Sequence, residues 1–299
     1  MAKILVTGVS GFIGKKLLHR LHEEYGLINV VALTSKPLIR GSYILHHDYN
    51  EEYLRNSFKE FDAFEVLIHA GAFTPKSRLQ ANDIEGSWDN IRSTKVLLNS
   101  LGNVKRIIYL STLDVYEKTD EKISESTSTK PPSLYGFSKL FCERVVSVFA
   151  ENSGCDYNIL RIGHVYGPGE SHYDKIIPTV FKKMINNDRV CIDTDGSELR
   201  SFIYIDDVIN IIMYILKFSI DLPIVNVVSR KSYSIREIVE LMYLIANKDL
   251  SNLEFRSLMK GNNICFNSEL LEKNFPLIET SIENGLANEW QYFCKLKSQ

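Results

Sequence analysis

Residues 7–14 read TGVSGFIG and directly follow the apolar run ILV. Glycines at positions 8, 11 and 14 permit a tight turn in which backbone N–H groups approach a pyrophosphate at the positive end of a helix. The spacing GxxGxxG differs from the GxGxxG of the commonest dinucleotide folds, and alone it can mark a mere packing turn. With a strand before it and a helix after it, the stretch predicts a dinucleotide site formed by Gly8, Gly11, Phe12, Ile13 and Gly14.

Outward from this turn, short β-branched runs alternate with amphipathic stretches through the first half of the chain. Such alternation builds βαβ units, and near-continuous apolar runs are typical of strands covered on both faces. The sequence therefore predicts an α/β fold with a doubly wound parallel sheet of the Rossmann type. The predicted strands are 3–8, 28–34, 42–48, 64–71, 104–112 and 156–167, and the predicted helices are 12–25, 51–60, 85–101 and 134–152.

The regular alternation of predicted strands and helices ends after YGPGE, residues 166–170. We place a boundary near residue 168, which predicts a dinucleotide-binding domain at 1–168 and a smaller mixed α/β substrate lobe at 169–299. The segment 201–229 is a candidate for a strand and a helix that return to the first domain. Ser234 to Glu237 read as a capping box that opens an apolar helix, and 117–131 read as a polar loop.

Composition argues against several classes of protein. The formal net charge is −2 and the isoelectric point is near 6.4, so neither nucleic acid nor an anionic membrane is expected as a partner. No run approaches the ~18 apolar residues of a membrane span, and we expect a cytoplasmic protein. Five scattered cysteines without a CxxC pair, and seven histidines without an HxxxH pair, argue against a metal site or a disulfide framework.

The segment after the second predicted strand bears on the choice of cofactor. In NAD-specific folds an acid about twenty residues beyond the glycines holds the ribose 2′-hydroxyl. Here that place reads Leu33-Thr34-Ser35-Lys36. Hydroxyls and an ammonium would receive a 2′-phosphate that an acid would repel, so we expect NADPH held by Thr34, Ser35 and Lys36. NADH stays open as the alternative, because Lys36 can also be an ordinary solvated loop cation.

A tyrosine and a lysine stand four residues apart at the start of a predicted helix, in SLYGFSK, residues 133–139. Residues i and i+4 share one helical face, so the Lys139 ammonium can lie beside the Tyr135 phenol. A nearby cation stabilises the phenolate, and lowering a phenol pKa from near 10 by about three units represents about 4 kcal/mol. Tyr135 is therefore the candidate proton donor to a carbonyl that receives hydride, and Lys139 tunes its acidity.

These motifs occur in the order found in the extended short-chain dehydrogenase/reductases, which include nucleotide-sugar epimerases, dehydratases and reductases. The chain resembles that family over most of its length, and the shared order is more specific than any one motif. The resemblance implies a Rossmann-type enzyme whose substrate is a nucleotide-diphospho-sugar. The motifs are TGVSGFIG (7–14), Asp48-Tyr49, LIHAGA (67–72), Asn90, LSTLDVY (110–116), YGFSK (135–139), LRIGHVYGPG (160–169) and RSFIYIDDV (200–208).

The same resemblance implies how the catalytic residues act. The family lysine that matches Lys139 also bonds the nicotinamide ribose, and the Ser/Thr that matches Thr112 bonds the substrate oxygen. Ser111 is the alternative, because a shift of one position in the alignment exchanges the two. The alternative for Thr112 is that its hydroxyl, at the end of a strand, only forms hydrogen bonds with backbone groups. The sequence therefore predicts Thr112, Tyr135 and Lys139 as the catalytic residues.

Further binding roles come from the resemblance alone. Asp48 would accept a hydrogen bond from the adenine amino group with Tyr49 beside it, although Asp is also common in turns. Arg200 matches an arginine that grips substrate phosphates. His164 stands where the family often has Asn, and Lys260 is a weaker candidate for a second cation. The remaining implied contacts are Ala70, Gly71, Ala72 and Asn90 for the cofactor and Thr74, Thr112 and Tyr135 for the substrate.

The residue types near Thr112 and after the second strand also narrow the choice of reaction. The family's 4,6-dehydratases carry Thr-Asp-Glu, whereas Thr112 is followed by Leu113 and Asp114, and leucine cannot transfer a proton. Epimerases usually have the acid after the second strand that is missing here. We therefore expect an NADPH-dependent 4-ketoreductase of a nucleotide-diphospho-deoxyhexose, similar to those of bacterial O-antigen synthesis. An NAD-retaining 4-epimerase and a non-catalytic dinucleotide-binding protein are the alternatives.

The resemblance also implies an assembly. Members of the family often dimerise by packing two helices from each subunit into a four-helix bundle. The predicted helices at 85–101 and 134–152 are apolar enough to do so. We therefore expect a homodimer.

Overall fold

The computed structural model describes residues 3–34, 43–46, 50–61, 63–117, 119, 121–256 and 261–298, with 43–46 described by their backbone alone. Two compact units divide the chain. The first comprises residues up to 117, 128–161 and 212–225, and the second comprises 118–127, 162–211 and 226 onward. The division therefore falls after residue 161, where the sequence predicted a boundary near 168. The segment that belongs with the first unit is 212–225, where the sequence proposed 201–229.

The elements follow one another in chain order. Within the described residues the strands are β1 (Ile4–Thr7), β2 (Val30–Thr34), β3 (Tyr43–His46), β4 (Val66–His69), β5 (Arg106–Thr112), β6 (Asp156–Ile162), β7 (His164–Tyr166), β8 (Val190–Ile192), β9 (Leu199–Tyr204), β10 (Ile224–Val227), β11 (Ser232–Ser234) and β12 (Leu253–Phe255). The helices are α1 (Phe12–Tyr25), α2 (Glu51–Phe58), α3 (Ile84–Ser100), α4 (Leu134–Ser153), α5 (Ile176–Asn186), α6 (Ile205–Phe218), α7 (Ile235–Ile245), α8 (Glu269–Asn274) and α9 (Ile282–Lys297).

A seven-stranded sheet organises the first unit, in the order β10-β6-β5-β4-β1-β2-β3. The pairings that join β3, β2, β1, β4 and β5 are parallel, and Ile4 lies opposite Val30 on one side and Val66 on the other. The strand order reverses beside β1, because the chain proceeds outward to β3 and then returns to β4. Such a reversal places crossover helices on both faces of the sheet. The predicted α/β class with a doubly wound sheet is confirmed.

The core of the first unit explains why the strands read as continuous apolar runs. Every residue of β1 and β2 is buried. One face of the sheet packs against α2, α3 and α4, which turn their apolar sides toward it. This packing fixes the carboxyl ends of β1, β4 and β5, where loops carry the candidate site. The buried cluster is Leu5, Val31, Leu33, Leu54, Phe58, Phe64, Leu67, Leu97, Leu98, Val104, Ile107, Tyr109, Cys142, Val146 and Ile159.

The predicted strand at 156–167 is two strands, and Gly163 divides them. β6 ends at Ile162, and β7 pairs with β9 in a separate three-stranded sheet. The N–H of Gly163 donates to Val227 O at 3.0 Å, and the N–H of Val165 donates to Gly163 O at 2.8 Å. That i to i+2 hydrogen bond bends the chain sharply. An apolar run alone does not reveal such a bend.

The second unit is a mixed α/β structure, as the sequence predicted. Its sheets have the orders β11-β9-β7 and β12-β8, and the unit also contains α5, α7, α8 and α9. The β11–β9 pairing is antiparallel, whereas the β7–β9 and β12–β8 pairings are parallel. The predicted capping box opens α7. The N–H of Glu237 donates to Ser234 Oγ at 3.1 Å, and the N–H of Ser234 donates to Glu237 Oε2 at 2.7 Å.

The polar loop that follows β5 has a structural role that its composition hides. Residues 118–127 belong to the second unit. The N–H of Ile123 donates to Cys265 O at 2.9 Å, and Ile123 O accepts from the N–H of Asn267 at 2.8 Å. Glu125 Oε1 accepts from the N–H of Asn226 at 2.8 Å. The buried Ile123 side chain is the one apolar anchor in this loop that the structure describes.

Two carboxyl groups are fully buried in the second unit. Glu170 and Glu289 are each 0% exposed, and Lys175 Nζ donates to Glu170 Oε2 at 3.0 Å. Burial, and then the charge of Glu170, raise the pKa of Glu289 well above its ordinary value of 4.5. Burial therefore favours the neutral form of Glu289 in the folded protein.

Replacing Glu289 by glutamine tests this buried acid. The raised pKa means that the wild type loses stability as the pH rises from the unfolded pKa through the folded pKa. Glu289→Gln cannot ionise, so its free energy of unfolding should fall less between pH 5 and pH 8 than that of the wild type. Urea unfolding at both pH values measures the difference. Glu283→Gln, exposed on the same helix, is the control and should follow the wild type.

Candidate active site

The glycine turn between β1 and α1 is a close approach of three backbone segments. Gly8 has φ +73°, and the N–H of Gly11 donates to Gly8 O at 2.9 Å. A Cβ atom on Gly8 would lie 2.5 Å from the backbone of Ala70 and Gly71, and a Cβ atom on Gly14 would collide with the Gly8 carbonyl. A residue with a side chain therefore fits neither position without displacing backbone.

The first turn of α1 is open to an anion. Its N-cap is Gly11, so no side-chain oxygen caps the helix, and the first turn contains no acidic residue. The helix N-terminus carries partial positive charge that attracts phosphate groups. These features fit the pyrophosphate of a dinucleotide, with Phe12 and Ile13 opening the helix. Side chains cap other helices of the chain, namely Asn50 on α2, Asp83 on α3, Ser133 on α4, Ser234 on α7 and Ser281 on α9.

A buried histidine ties the end of β1 to the end of β4 and to α3. Thr7 Oγ1 accepts from the N–H of Gly71 at 2.9 Å and lies 2.8 Å from His69 Nδ1. Thr94 Oγ1 donates its single hydrogen to Asn90 O at 2.8 Å. The contact of 3.0 Å between His69 Nε2 and Thr94 Oγ1 therefore requires a hydrogen on Nε2. Both ring nitrogens of His69 are therefore engaged within the protein, by Thr7 and Thr94, which gives the side chain a structural role rather than that of a base.

Asn90 extends this chain of hydrogen bonds to α4. Its Oδ1 accepts from the N–H of Phe73 at 2.6 Å, and its Nδ2 donates to Phe73 O at 3.2 Å and to Ser138 Oγ at 3.1 Å. Ser138 Oγ donates in turn to Tyr135 O at 2.8 Å. Both amide hydrogens of Asn90 are therefore used within the protein. The structure gives Asn90 the task of positioning the loop after β4, and its predicted contact with a cofactor stays a prediction.

The first turn of α4 lies against the segment that follows β5. Ser133 caps the helix by accepting from the N–H of Gly136 at 3.1 Å. A Cβ atom on Gly136 would collide with Asp114 O and would lie 2.8 Å from Pro131 Cβ. This close approach needs a glycine, and it brings the helix start that carries Tyr135 against the end of β5. Tyr135 and Thr112 are therefore on adjoining segments.

Lys139 is a buried cation one turn beyond Tyr135. It is 2% exposed, its Nζ donates to Leu110 O at 2.7 Å, and it lies 4.2 Å from the centre of the Tyr109 ring. Burial lowers the pKa of Lys139 to about 8, while Cys142 and Glu143 act to raise it. The ammonium is thus predominantly charged at pH 7. Tyr135 is also buried, on the helical face that it shares with Lys139.

The contacts of the two hydroxyls at the end of β5 differ. Ser111 is buried and donates to Glu143 Oε1 at 2.5 Å. Thr112 is half-buried, and its Oγ1 accepts from the N–H of Asp114 at 3.2 Å. Its hydroxyl hydrogen has no acceptor among the residues that the structure describes. These contacts favour Thr112 over Ser111 as the hydroxyl for a substrate.

Sequence reasoning missed the buried ion pair behind these residues. Arg161 Nη2 donates to Glu143 Oε2 at 2.7 Å and Arg161 Nε donates to Oε1 at 3.1 Å, with each side chain 5% exposed. Arg161 Nη1 also donates to Tyr116 Oη at 2.9 Å. The available signal was spacing, because residues 135, 139 and 143 recur every four positions on one helical face.

The second unit contains two of the predicted substrate contacts. Arg200 Nη1 donates to Leu199 O at 2.8 Å and to Asn262 O at 2.6 Å. Burial, and then the positive charges of Arg200 and Lys175, lower the pKa of His164 to about 4. His164 Nδ1 is buried without a hydrogen-bond partner among the described residues. At pH 7 His164 is therefore neutral and offers a substrate no positive charge.

Comparison with known proteins identifies the family. The model of the NAD dependent epimerase/dehydratase family matches residues 4–227. The chain belongs to this family. In fold it resembles MoeE5 in complex with UDP-glucose and NAD, with 25% identity, a TM-score of 0.84, and coverage of 99% of this chain and 100% of that one.

Two curated relatives differ in how much of their length the chain matches. The dTDP-D-glucose 4,6-dehydratase of Dictyostelium discoideum is 26% identical over 72% of this chain, and the match spans 55% of the dehydratase. The uncharacterized UDP-glucose epimerase YtcB of Bacillus subtilis (strain 168) is 27% identical over 98% of both proteins. The chain thus spans about half the length of one relative and nearly all of the other.

The structure describes only some of the remaining residues that were predicted to contact the cofactor or the substrate. Ser35, Lys36, Asp48, Tyr49 and Lys260 lie outside the described residues. Thr34 ends β2 and is 4% exposed, so its side chain is inside the protein. Ala72 and Thr74 lie in the loop after β4, where Thr74 is exposed. The described residues include no group of three or more His, Cys, Asp or Glu side chains that could hold a metal ion, and no described helix is long and apolar enough to cross a bilayer.

Alanine substitutions at two glycines test the close approach. Gly14→Ala places a methyl group against the Gly8 carbonyl, and overpacking of this kind costs about 1–3 kcal/mol. We expect Gly14→Ala to lower the free energy of unfolding by that amount and to abolish binding of NAD(P)H measured by nicotinamide fluorescence. Gly102 is the matched control, because a Cβ atom there meets nothing within 4 Å. Equal stability and binding in the two variants would show that the turn tolerates a side chain.

Proposed function

We propose that the protein is an NADPH-dependent 4-ketoreductase of a nucleotide-diphospho-deoxyhexose. The observation that carries the proposal is the Tyr135–Lys139 pair, buried at the start of a helix that contacts the end of β5. The coarse part of this function, nucleotide-sugar chemistry with a nicotinamide cofactor, accords with the family. A substrate such as CDP-4-keto-3,6-dideoxyglucose, reduced to CDP-abequose for O-antigen or other surface polysaccharide, is the member of the class that we propose.

The residues of the first unit can supply the proton chemistry of such a reduction. Bound nicotinamide would supply hydride to C4 of the sugar. Tyr135 would donate its hydroxyl proton to the oxygen that becomes negative at C4, and Lys139 would stabilise the phenolate that remains. Thr112 would donate its hydroxyl hydrogen to the same oxygen, since Thr112 Oγ1 donates to no other described residue.

Dehydration is disfavoured by the residue beside Thr112. The 4,6-dehydratases that the chain resembles have Asp and Glu at the next two positions, and these carboxyls move protons. Leu113 is buried here and has no proton to give. Without a carboxyl at position 113, the reaction that we propose has one protonation step, at Tyr135.

The proposed preference for NADPH depends on the segment after β2. Thr34 is buried, so a 2′-phosphate would be received by Ser35 and Lys36. The acid that holds the ribose 2′-hydroxyl in NAD-specific folds is missing from Leu33-Thr34-Ser35-Lys36. The missing acid supports NADPH over NADH, whereas the burial of Thr34 leaves Ser35 and Lys36 as the proposed contacts.

An NAD-retaining nucleotide-sugar 4-epimerase is the second candidate. It is favoured by the match to YtcB, named as a UDP-glucose epimerase, which extends over 98% of both chains. An epimerase removes and returns hydride, so it would purify with NAD and cause no net oxidation of NADPH. A reductase releases its oxidised cofactor. The two candidates are therefore separated by the state of the cofactor.

We also propose that the protein is a homodimer that pairs α3 and α4 with those of a second copy. Large apolar side chains on these helices are exposed, and a cavity of about 300 Å³ lies between them. The family resemblance predicts this surface as an interface, and the apolar groove supports that prediction. The exposed residues are Ile84 and Trp88 on α3 and Leu134, Phe137, Phe141 and Val148 on α4.

The proposed reaction is tested with NADPH and a panel of 4-keto nucleotide sugars. Oxidation followed at the nicotinamide absorbance should be stoichiometric with sugar reduction in the wild type. Tyr135→Phe should lower kcat by about 10²- to 10⁴-fold because the proton donor is removed. Thr112→Val should lower kcat/KM more than Ser111→Ala does. Bound NAD in the purified protein, with interconversion of sugars and no NADPH oxidation, would establish the epimerase instead.

The proposed dimer is tested by sedimentation at micromolar concentration. Phe141→Glu places a charge in the groove and should convert the dimer to a monomer, because burying an unpaired carboxylate in the interface is costly. Leu244→Glu, which changes an exposed leucine on α7, is the control and should leave the dimer intact. A monomeric wild type would overturn the proposed assembly.

A further inference from the structure

The face of α4 that carries Tyr135 and Lys139 carries a third titratable residue. Glu143 lies four positions beyond Lys139, so the three side chains follow one another along the helix. Glu143 is buried, and nothing in the proposed reaction uses it directly. A carboxylate inside a protein is expensive unless it is paired, which raises the question of what this one does.

Three groups hold the Glu143 carboxylate in one place. Arg161 binds both of its oxygens, with contacts of 2.7 Å to Oε2 and 3.1 Å to Oε1, and Ser111 donates to Oε1 at 2.5 Å. Arg161 comes from β6 and Ser111 from β5. Arg161 is itself fixed by its hydrogen bond of 2.9 Å to Tyr116. The Glu143 carboxylate is therefore held in one position, and the Arg161 guanidinium pairs with its charge.

Lys139 has few groups to compensate its charge. Its Nζ donates to the Leu110 carbonyl, and its charge lies over the Tyr109 ring. Both contacts are weaker compensation for a desolvated ammonium than a carboxylate is. The titratable and charged groups around it are Tyr109 on β5, Tyr135, Cys142 and Glu143 on α4, Arg161 on β6, Tyr116 after β5, and His69 on β4 beyond the Tyr109 ring.

We propose that Glu143 is a positioning residue that keeps the Lys139 ammonium charged, and that Arg161 and Ser111 hold the carboxylate where it does so. The proposal rests on the function proposed for Lys139 above. Lys139 and Glu143 lie one turn apart on the buried face of α4, and neighbouring residues of β5 bind both, since Leu110 O accepts from Lys139 and Ser111 donates to Glu143. The negative charge of Glu143 acts to raise the pKa of Lys139.

The proposal predicts an effect on Lys139 that would not occur if Glu143 only packed against its neighbours. Neutralising its carboxylate leaves the burial of Lys139 uncompensated, so the pKa of Lys139 should fall. A lower pKa leaves less ammonium at neutral pH, and the Tyr135 phenolate loses its stabilising charge. The alkaline limb of the pH profile of reduction should then move to lower pH.

The experiment compares three variants. Glu143→Gln removes the charge but leaves Arg161 buried without its partner, which is destabilising in general. Glu143→Gln with Arg161→Met removes both charges, so that a folded protein is obtained whose Lys139 still lacks the carboxylate. Glu151→Gln makes the same change at an exposed position of α4 and is the control. Circular dichroism and thermal unfolding establish that each variant is folded.

The first readout is the pKa of Lys139 in the free protein, from the ¹³Cε resonance of labelled lysine, assigned with Lys139→Arg. We expect this pKa to be about 1 lower than in the wild type in both variants at position 143, as for the loss of a nearby opposite charge. It should be unchanged in Glu151→Gln. A wild-type pKa in the folded double variant would overturn the proposal, because packing alone would then explain Glu143.

The second readout is the pH dependence of kcat/KM for NADPH oxidation with a 4-keto nucleotide sugar. Its alkaline limb should move to lower pH by the same interval as the pKa of Lys139, and an unmoved limb would overturn the link to Tyr135. The two readouts also distinguish a failure of the proposed role of Glu143 from a failure of the proposed reductase function. A lowered pKa of Lys139 in a protein that oxidises no NADPH would support the role of Glu143 and overturn the proposed reductase.

Discussion

The buried positive charge of Lys139 is the constraint on which the candidate site depends. Lys139 has given up nearly all of its water, and a cation in that position persists only if carbonyl, aromatic and carboxylate groups replace the solvent. The structure supplies one group of each kind from β5 and α4. The same arrangement that retains the charge also orders the end of β5, since Leu110 and Ser111 each bond a side chain of α4.

Hydrogen bonds join the two ends of the candidate site inside the first unit. They run from Gly71 and Thr7 through His69 and Thr94 to Asn90, and from Asn90 through Ser138 to the backbone of Tyr135. Each donor along this route has an acceptor, which is the condition under which buried polar groups rigidify a core rather than weaken it. The glycine turn and the candidate catalytic residue Tyr135 are therefore joined by one network of hydrogen bonds.

Sequence reasoning succeeded where local chemistry decides the structure. The glycine turn, the parallel sheet and the Ser234 cap depend on backbone freedom, apolar runs and a local side-chain bond, all of which are legible in neighbouring residues. It failed at Gly163, where a bend separates two strands of one apolar run, and it missed Glu143 and Arg161, whose pairing joins positions far apart in the chain. Thr112 could not be separated from Ser111 until the contact of Ser111 with Glu143 was seen.

The division of the chain into interleaved segments has a consequence for biosynthesis. The first unit needs residues 212–225 as well as the N-terminal half, and the second unit contributes 118–127 and 162–211 before that segment is made. A ribosome must therefore extrude the chain through residue 227 before the sheet can acquire β10. Partly made chains expose an unpaired edge at β6 during that interval, which is the kind of surface that chaperones shield.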